Sequence, residues 1–226
     1  MAEVVEETLD PDRHVPVPAA PLAVAPVTLE GTWVRLEPLT LAHHAGLCAV
    51  GLDPDLWRWI PNPVHTADDM QAYIETAVEG QAAGTVLPFA TVERATGRVI
   101  GSTRFGNIDR ANRHMEIGWT WVAGPWQRTP VNSEAKYLML GHAFDTLGCL
   151  RVELKTDLLN ARSRNAILRL GATQEGIFRN HVITATGRVR HTVYFSIMDG
   201  EWPAVKAELE TKLARPYPTP PGVLGG

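Results

Sequence analysis

The alternation of hydrophobic and polar residues along the chain predicts an ordered mixture of strands and helices. The segment "VTLEGTWVRLEPL" (residues 27–39) alternates as a strand or a hairpin does. Other segments begin with a helix cap, for example Thr40 before "LAHHAGLCAVGL" and Thr66 before "ADDMQAYIETAVEGQAAG". The predicted elements are strands at 27–39, 88–94, 98–108, 114–123, 150–157, 173–183 and 188–198, and helices at 40–52, 67–84, 132–147, 161–171 and 201–214. This order predicts an α/β fold with a mixed central sheet.

The helix at 132–147 predicts one feature of the sheet topology. Asn132 and Ser133 open this helix, and Gly148 is a natural stop. The helix lies between the strands at 114–123 and 150–157, and a helical crossover joins parallel strands. These two strands are therefore predicted to run parallel.

Proline marks both ends of the predicted domain. Five of the 17 prolines lie in residues 1–26, and four more lie in residues 215–226. We therefore predict an extended tail at 1–27, one domain at 28–214 and a Pro/Gly-rich tail at 215–226. Neither tail is expected to bury much core.

Composition and charge argue against several classes of protein. Hydrophobic residues make up 45% of the 226 residues and charged residues 20%, which argues against a disordered chain. The net charge of −4 gives no basic footprint for nucleic acid and weakly favours a cationic or amine partner. Cys48 and Cys149 lack CxxC spacing and are expected to be buried, reduced thiols. There is no signal-peptide pattern and no apolar run near the ~20 residues of a membrane span, so we expect a soluble, cytoplasmic protein.

The segment "PWQRTPVNSEAKYLML" (125–140) carries a candidate site for phosphates. A strand that leads through a turn into a helix aims free backbone N–H groups and the positive end of the helix dipole at one point. Gln127, Arg128 and Thr129 precede the helix, and Asn132 is placed to cap it or to bond a ligand. An ordinary capped helix with a surface arginine explains the same residues, so local spacing leaves both interpretations open.

Five segments together carry a family resemblance: "HMEIGWTW", "WQRTPVNSEAKYLMLGHAF", "LRVELKTDLLNARSRNAILRLGA", "GRVRHTVYFSI" and "EWPAVKAELE". Within residues 28–213 the chain resembles the GNAT N-acyltransferases, specifically their RimJ/RimL-like branch that acetylates amines. The resemblance implies a GNAT fold, with a mixed sheet of about seven strands and helices on both faces. It also implies acetyl-coenzyme A as co-substrate and no metal.

The same resemblance implies which residues bind the co-substrate. In the family, the segment that is 127–132 here is the pyrophosphate loop, usually Q/R-x-x-G-x-G/A, and Pro130 and Asn132 stand where the glycines would. A proline gives up only an N–H, and its fixed φ suits the start of a helix, so we expect the site to survive with an altered donor set. The residues implied to contact coenzyme A are Trp119, Thr120, Trp121, Val122, Gln127, Arg128, Thr129, Val131, Asn132, Asn160 and Arg164.

Glu116 is the candidate base that the resemblance implies, acting directly or through water. A structural carboxylate bonded to a neighbouring strand or loop is the other interpretation of this residue. Alternation along 114–122 places Glu116 on one face with Gly118 and Thr120, and Trp119 and Trp121 on the other.

Two further groups complete the predicted chemistry. The family pattern N-x-x-S maps onto Asn160 and Ser163, with Asn160 bonding the pantetheine or positioning the thioester. Many GNAT enzymes have, seven residues after that Asn, a tyrosine that acts as the general acid for the leaving thiolate, but this chain has Ile167 there. Ser163, or a water near it, is then the candidate proton donor to the leaving thiolate, unless Ser163 is a plain first-turn helix residue.

The loop between the first two predicted helices is the expected acceptor wall. The family places this loop over the substrate, and here it supplies Trp57, Trp59 and Ile60, although a minor hydrophobic cluster would use the same residues.

The sequence therefore predicts an N-acetyltransferase that acts on a primary amine, either a protein N-terminal α-amine or a small molecule. The amine attacks directly in a ternary complex, because neither cysteine lies near a recognisable His partner motif. Alternatives are another donor such as succinyl-coenzyme A, a non-catalytic acyl-coenzyme A sensor, and a protein-binding module that uses the tryptophan loop. A homodimer is possible, and no nucleic acid or membrane partner is expected.

Overall fold

The structure, a computed structural model, describes residues 10–16 and 20–217 of the chain. Its strands are β1 Leu29–Glu30, β2 Val34–Pro38, β3 Leu87–Glu93, β4 Val99–Asp109, β5 His114–Val122, β6 Arg151–Asp157, β7 Thr173–Ile183 and β8 Val189–Met198. Its helices are α1 His44–Gly51, α2 Pro54–Trp57, α3 Ala67–Ala82, α4 Pro130–Gly141, α5 Ala161–Arg169 and α6 Trp202–Leu213. Across the described ranges the strands form one open sheet in the order β1–β2–β3–β4–β5–β6–β8–β7. The predicted α/β class is confirmed, and the hairpin at 27–39 accounts for the eighth strand.

Two hydrophobic clusters lie on opposite faces of the sheet. Phe89 belongs to one cluster and its neighbour Ala90 to the other, and successive residues of a strand point to opposite sides. The larger cluster packs the sheet against α4, α5 and α6, and the smaller one packs it against α1, α2 and α3. We call these two sides the α4 face and the α1 face.

Strands β5 and β6 are parallel neighbours, as predicted, but they pair over a short length. Their register is His114↔Arg151, Met115↔Val152 and Glu116↔Glu153. Both strands continue well beyond these positions, β5 to Val122 and β6 to Asp157. The sheet therefore opens between them from Glu116 onward.

Helix α4 begins two residues earlier than predicted. Thr129, rather than Asn132, is its cap, and the Thr129 hydroxyl accepts a hydrogen bond from the N–H of Val131 at 3.4 Å. Pro130 takes the first helical position, where its fixed φ is favourable and its missing N–H costs nothing. Asn132 consequently lies in the first turn of the helix. The helix continues as a π-helical turn, His142–Thr146.

The predicted tails fall partly outside the described residues, which leave out 1–9, 17–19 and 218–226. Within the part that is described, Leu22 is 3% exposed and belongs to the cluster on the α4 face. Part of the predicted N-terminal tail therefore contributes to the core, because burying an apolar side chain stabilises the folded chain wherever in the sequence that side chain lies.

Two structural features are absent from residues 10–16 and 20–217. No helix there is both long and apolar enough to cross a membrane. No group of three or more His, Cys, Asp and Glu side chains in those ranges is placed to hold a metal ion.

Glu134 ties α4 to the turn between β1 and β2. Its carboxylate, 5% exposed, accepts hydrogen bonds from the backbone N–H groups of Thr32 (2.7 Å), Trp33 (2.6 Å) and Val34 (2.8 Å). Without this acceptor, three N–H groups in a tight turn would lose their partner. Charge-assisted bonds of this kind are roughly twice as strong as neutral ones. The contact holds the first half of α4 against the edge of the sheet.

We predict that Glu134→Gln destabilises the fold. The amide keeps one acceptor and turns an NH₂ group towards the remaining N–H donors, so we expect a loss of about 2 kcal/mol in the free energy of unfolding. This corresponds to a fall of roughly 4–8 °C in Tm for a chain of this size. Glu79→Gln, an exposed change on α3, is the matched control and is expected to stay within about 0.5 kcal/mol of wild type. Equal melting curves for the two variants would contradict the role given to Glu134.

Candidate active site

A cavity of about 580 Å³ occupies the gap between β5 and β6. Its walls come from both sides of the sheet. Ser133 and Lys136 of α4 line it from one side, and Glu116, Arg190 and the loop residue Trp59 line it from the other. Because the cavity passes through the sheet where the strands separate, a long ligand in it can reach both faces.

A bulge at Trp119 reverses the alternation of β5. Ile117 belongs to the cluster on the α4 face and Trp121 to the cluster on the α1 face, although residues four apart in a regular strand share a side. Trp119 has a φ of 50°, and the register of β4 against β5 shifts between Ser102 and Arg104. An extra residue in one strand of an antiparallel pair produces this kind of switch.

This reversal corrects the predicted arrangement of the strand. The prediction that Glu116 and Thr120 share a face is wrong, because Thr120 turns to α4, where its hydroxyl lies 2.6 Å from Nζ of Lys136. The ring of Trp119 lies on the Glu116 side and fills the space beside Gly106, where a Cβ would be 2.4 Å from the ring. Gly118 leaves similar room for Glu116, since a Cβ there would lie 2.6 Å from Oε1.

Most of the residues predicted from the sequence line this cavity. They are Trp59, Ile60, Glu116, Trp119, Thr120, Trp121, Val122, Gln127, Arg128, Thr129, Asn132, Asn160 and Ser163. They come from β5, from the loops that follow α2 and β5, and from the starts of α4 and α5. The fold therefore collects groups that are far apart along the chain.

Three predicted residues lie elsewhere. Trp57 is 1% exposed and packs in the core of the α1 face, with Nε1 donating to the carbonyl of Gly51 at 2.7 Å. Val131 is 4% exposed and belongs to the core of the α4 face. Arg164 turns back so that Nη1 lies 3.4 Å from the carbonyl of Leu158. None of the three lines the cavity.

The N-termini of α4 and α5 open onto the cavity from the α4 face. Arg128 and Arg162 line it there, and Nη1 of Arg162 donates to Oε1 of Gln127 at 2.7 Å, which links the two helix starts. Asn160 caps α5, with Oδ1 accepting from the N–H of Ser163 at 3.1 Å. Two helix dipoles and two guanidinium groups make this end of the cavity electropositive and suited to phosphate oxygens.

The turn before α4 adopts its conformation without a glycine. Arg128 has a φ of 63°, the left-handed region that glycine favours, at a cost of roughly 1–2 kcal/mol for a residue with a side chain. Pro130 and Asn132, at the glycine positions of the Q/R-x-x-G-x-G/A pattern, are both helical and need no such freedom. The hydroxyl of Tyr217 donates a hydrogen bond to the carbonyl of Arg128.

Glu116 is buried, faces the cavity and is held by two neighbours. Its Oε2 accepts from Nδ2 of Asn107 at 2.6 Å and lies 2.8 Å from Nζ of Lys155. Burial raises the pKa of the Glu116 carboxyl, and the charge of Lys155 opposes that rise. The residue therefore combines a structural ion pair with access to any amine in the cavity.

Lys136 is a cavity residue that the sequence analysis missed. It is 5% exposed, and Nζ lies within hydrogen-bonding distance of the hydroxyls of Thr120 (2.6 Å) and Thr103 (3.3 Å). Burial lowers the pKa of this amine to about 7. Its spacing of four residues from Asn132 places both on one helical face, and that spacing is the signal that would have found it.

The end of the cavity on the α1 face holds two more basic residues that were missed, Lys155 of β6 and Arg190 of β8. Arg190 is 7% exposed, its Nε donates to the hydroxyl of Thr192 at 3.1 Å, and Nη1 lies 3.5 Å from the carbonyl of Trp59. Sequence spacing links neither residue to Glu116, because the pairing of β5 with β6 and of β6 with β8 brings them to this face.

Comparisons with known proteins agree with this geometry. The family model described as "Acetyltransferase (GNAT) domain" matches residues 34–173. The chain is 29% identical over 180 residues to the "Uncharacterized N-acetyltransferase p20" of Bacillus licheniformis, which covers 77% of this chain and 98% of that protein.

Solved structures also share the fold, two examples being from Brucella melitensis and Mycobacterium smegmatis. A GCN5-related N-acetyltransferase from Brucella melitensis is 34% identical, with a TM-score of 0.80, over 86% of this chain and 89% of that one. Mycobacterium smegmatis RimJ, solved in complex with CoA-disulfide, has a TM-score of 0.73 at 22% identity, over 83% of this chain and 95% of that one.

We predict that Lys136→Met stabilises the protein at neutral pH. The amine has a pKa of about 7 when folded and 10.5 ordinarily, so between these values the unfolded chain holds more protons and stability rises with pH. Replacing the lysine removes that dependence. We expect a gain of more than ~1 kcal/mol in the free energy of unfolding near pH 7, shrinking as the pH approaches 10.

Urea unfolding at several pH values measures this gain, with Lys212→Met as the control at a more exposed lysine. The hydroxyls of Thr103 and Thr120 still bond each other at 2.7 Å, so the variant leaves neither unpaired. A variant that is less stable than wild type at pH 7 would show that Lys136 is charged and well paired in the fold.

Proposed function

The chain belongs to the GNAT acetyltransferase family, and on that basis we propose that it transfers an acetyl group from acetyl-coenzyme A to a primary amine. The amine attacks the thioester directly while both substrates are bound. The observation that carries this proposal is the gap between β5 and β6, whose cavity reaches both faces of the sheet. It allows the donor to approach from the α4 face and the amine from the α1 face.

The residues on the α4 face fit the chemistry of coenzyme A. Its phosphates are anionic, and the starts of α4 and α5 offer backbone N–H groups together with Arg128, Arg162 and the side chain of Asn132. On the β6 side of β5 the ladder ends at Glu116, so backbone groups of residues 117–122 on that side make no ladder bond to β6 and can pair with the pantetheine arm and hold the thioester carbonyl. When bound, the donor supplies the activated acyl group.

On the α1 face we assign Glu116 as the base. A primary α-amine has a pKa near 8 and is roughly one-tenth neutral at pH 7, so a buried carboxylate that accepts its proton, directly or through water, suffices. A lysine side chain near 10.4 is neutral only about once in 2,500 molecules and asks much more of that base. We therefore propose a protein N-terminal α-amine or another weakly basic amine as acceptor.

The proton for the leaving thiolate has two candidate sources in the cavity. Ser163 lines it at the start of α5, and Lys136 lines it from α4. A lysine with a pKa of about 7 is a competent acid towards a thiol whose pKa is near 8.5. Ile167, at the position where many relatives have tyrosine, also lines the cavity but has no proton to give.

Neither cysteine supports a route through an acylated enzyme. Burial raises the pKa of Cys149 to about 11 and also raises that of Cys48. A nucleophilic cysteine needs a lowered pKa and access to substrate, and neither residue lines the cavity. This supports direct transfer in a ternary complex.

A non-catalytic acyl-coenzyme A sensor is the second candidate, and the ion pair between Glu116 and Lys155 favours it. A carboxylate already committed to a lysine has less to offer an incoming amine. The two proposals differ in one measurable respect, since only an enzyme releases free thiol from acetyl-coenzyme A when an amine is added.

We predict that Arg128→Ala weakens acetyl-coenzyme A binding by about 1.5–3 kcal/mol, the range for a hydrogen bond to a charged group. Calorimetric titration measures the change. Arg94→Ala, which removes an arginine paired with Glu30 at the far edge of the sheet, is the matched control and is expected to bind as wild type does. An unchanged Kd for Arg128→Ala would contradict the placement of the coenzyme A phosphates at this end of the cavity.

We predict that acetyl-coenzyme A loses its acetyl group to N-terminal α-amines and small weakly basic amines faster than to lysine side chains. Free thiol is followed over an amine panel. Glu116→Gln is expected to lower kcat/KM by about 100-fold near pH 7, and the deficit is expected to shrink above the pKa of the amine. Glu79→Gln on α3, an exposed carboxylate that does not line the cavity, is the control.

Three results would contradict parts of this proposal. No thiol release with any amine favours the sensor. A preference for lysine side chains contradicts the acceptor class. A constant deficit for Glu116→Gln across the pH range means that the carboxylate is structural.

A further inference from the structure

Arg190 is a buried cation with no carboxylate within ion-pairing distance in the described part of the chain. Nε of Arg190 donates to the hydroxyl of Thr192, and Nη1 lies 3.5 Å from the carbonyl oxygen of Trp59. Within the described part of the chain, Nη2 donates no hydrogen bond. Burying a charge without a partner is costly, so a guanidinium in such a place normally has an anion to bind. Arg190 lines the cavity, where its remaining N–H groups are available to a ligand.

The charged neighbours of Arg190 are already paired with one another. Lys155 is bonded to Glu116 at 2.8 Å, and Arg188 is bonded to Asp157. Each pair sums to zero, so Arg190 contributes one positive charge that these neighbours leave uncompensated. A single monoanion would balance it.

Two other basic groups on this face are less suited than Arg190 to bind an anion in the cavity. His181 lines the cavity, but burial and the charges of Lys155 and Arg190 lower its pKa, which favours its neutral form. Arg104 lies over the rings of Tyr73 (4.7 Å) and Trp119 (5.2 Å) and does not line the cavity.

We propose that the end of the cavity on the α1 face is a carboxylate site built around Arg190. This inference rests on the proposed function and narrows its substrate class. The planar fork of a guanidinium matches the two oxygens of a carboxylate, and the partly buried walls of Trp59 and Ile60 keep the local dielectric low. The phosphates of coenzyme A are assigned to the helix starts on the opposite face and leave this site to another group.

The position of the site beside Glu116 indicates which substrate brings the carboxylate. Glu116 and Arg190 line the same cavity on the α1 face. Together they match a molecule that carries an amine and a carboxylate, such as a free amino acid or a short peptide. The other source of the same chemistry is a donor whose acyl chain ends in a carboxylate, as in a dicarboxylic acyl thioester.

The test compares matched substrates in wild type. Free α-amino acids are compared with their amides as acceptors, and acetyl-coenzyme A is compared with succinyl-coenzyme A as donor, with free thiol as the readout. Rates are expressed per neutral amine, because a free amino acid holds its proton more tightly than its amide does. We expect the carboxylate-bearing acceptor to be favoured by about 10- to 100-fold in kcat/KM.

Two variants assign that preference to Arg190. Arg190→Gln is expected to abolish this preference by raising KM for the carboxylate acceptor much more than for the amide, and Arg190→Lys is expected to retain part of the preference. Arg179→Gln, an exposed change on β7, is the control. If Arg190→Gln has a much lower Tm than wild type, the Arg190→Lys variant and the comparison of substrates in wild type still test whether Arg190 binds the carboxylate.

Calorimetric binding of the same amino acids and amides in the presence of coenzyme A separates this inference from the proposed function. Binding that depends on the carboxylate and on Arg190, without any turnover, would support the carboxylate site but contradict the proposed acetyltransferase activity. A preference confined to succinyl-coenzyme A would assign the carboxylate to the donor. Turnover or binding with no dependence on a carboxylate in either substrate, or a dependence that survives Arg190→Gln, would overturn the proposal.

Discussion

The short parallel pairing between β5 and β6 is the constraint on which the rest of this protein depends. Three paired positions hold the strands together at one end, and beyond Glu116 the ladder stops. A sheet that stays closed has two separate faces, each with its own core. Here the opening joins them, so a donor on one side and an acceptor on the other can meet at the edge of β5. The bulge at Trp119 adds to this by turning the strand at the place where the gap begins.

Buried charge is concentrated where the sheet opens. Glu116, Lys155, Lys136 and Arg190 are largely withdrawn from water around one cavity, although buried charges rarely add net stability. Glu134 is different, because its carboxylate satisfies three backbone N–H groups and so has a structural explanation. Folding gives no comparable explanation for the cavity charges, whereas the proposed chemistry of an amine, a thiolate and an anion does.

The overall charge of the chain gave no sign of this environment. A net charge of −4 favours, if anything, a cationic partner. The cavity itself is rich in arginine and lysine, whereas many of the acidic residues lie on the outer surface of helices such as α3 and α6. Composition averages over the whole surface, whereas a ligand responds to the few groups within a Debye length of about 8–10 Å.

The sequence by itself determined the local elements, their order and the parallel crossover, because caps such as Thr66, stops such as Gly148 and alternating patterns act over a few residues. It also identified the turn at Gln127–Asn132 and the start of α5, where short spacings place side chains beside a helix N-terminus. Tertiary structure decided the rest. Trp57 and Trp59 are two residues apart, yet one packs in the core and the other lines the cavity. The reversal at Trp119 depends on how β4 pairs, and Lys136, Lys155 and Arg190 meet only through contacts between distant segments. A period of two or of 3.6 residues describes one element and carries no information about which distant element lies against it.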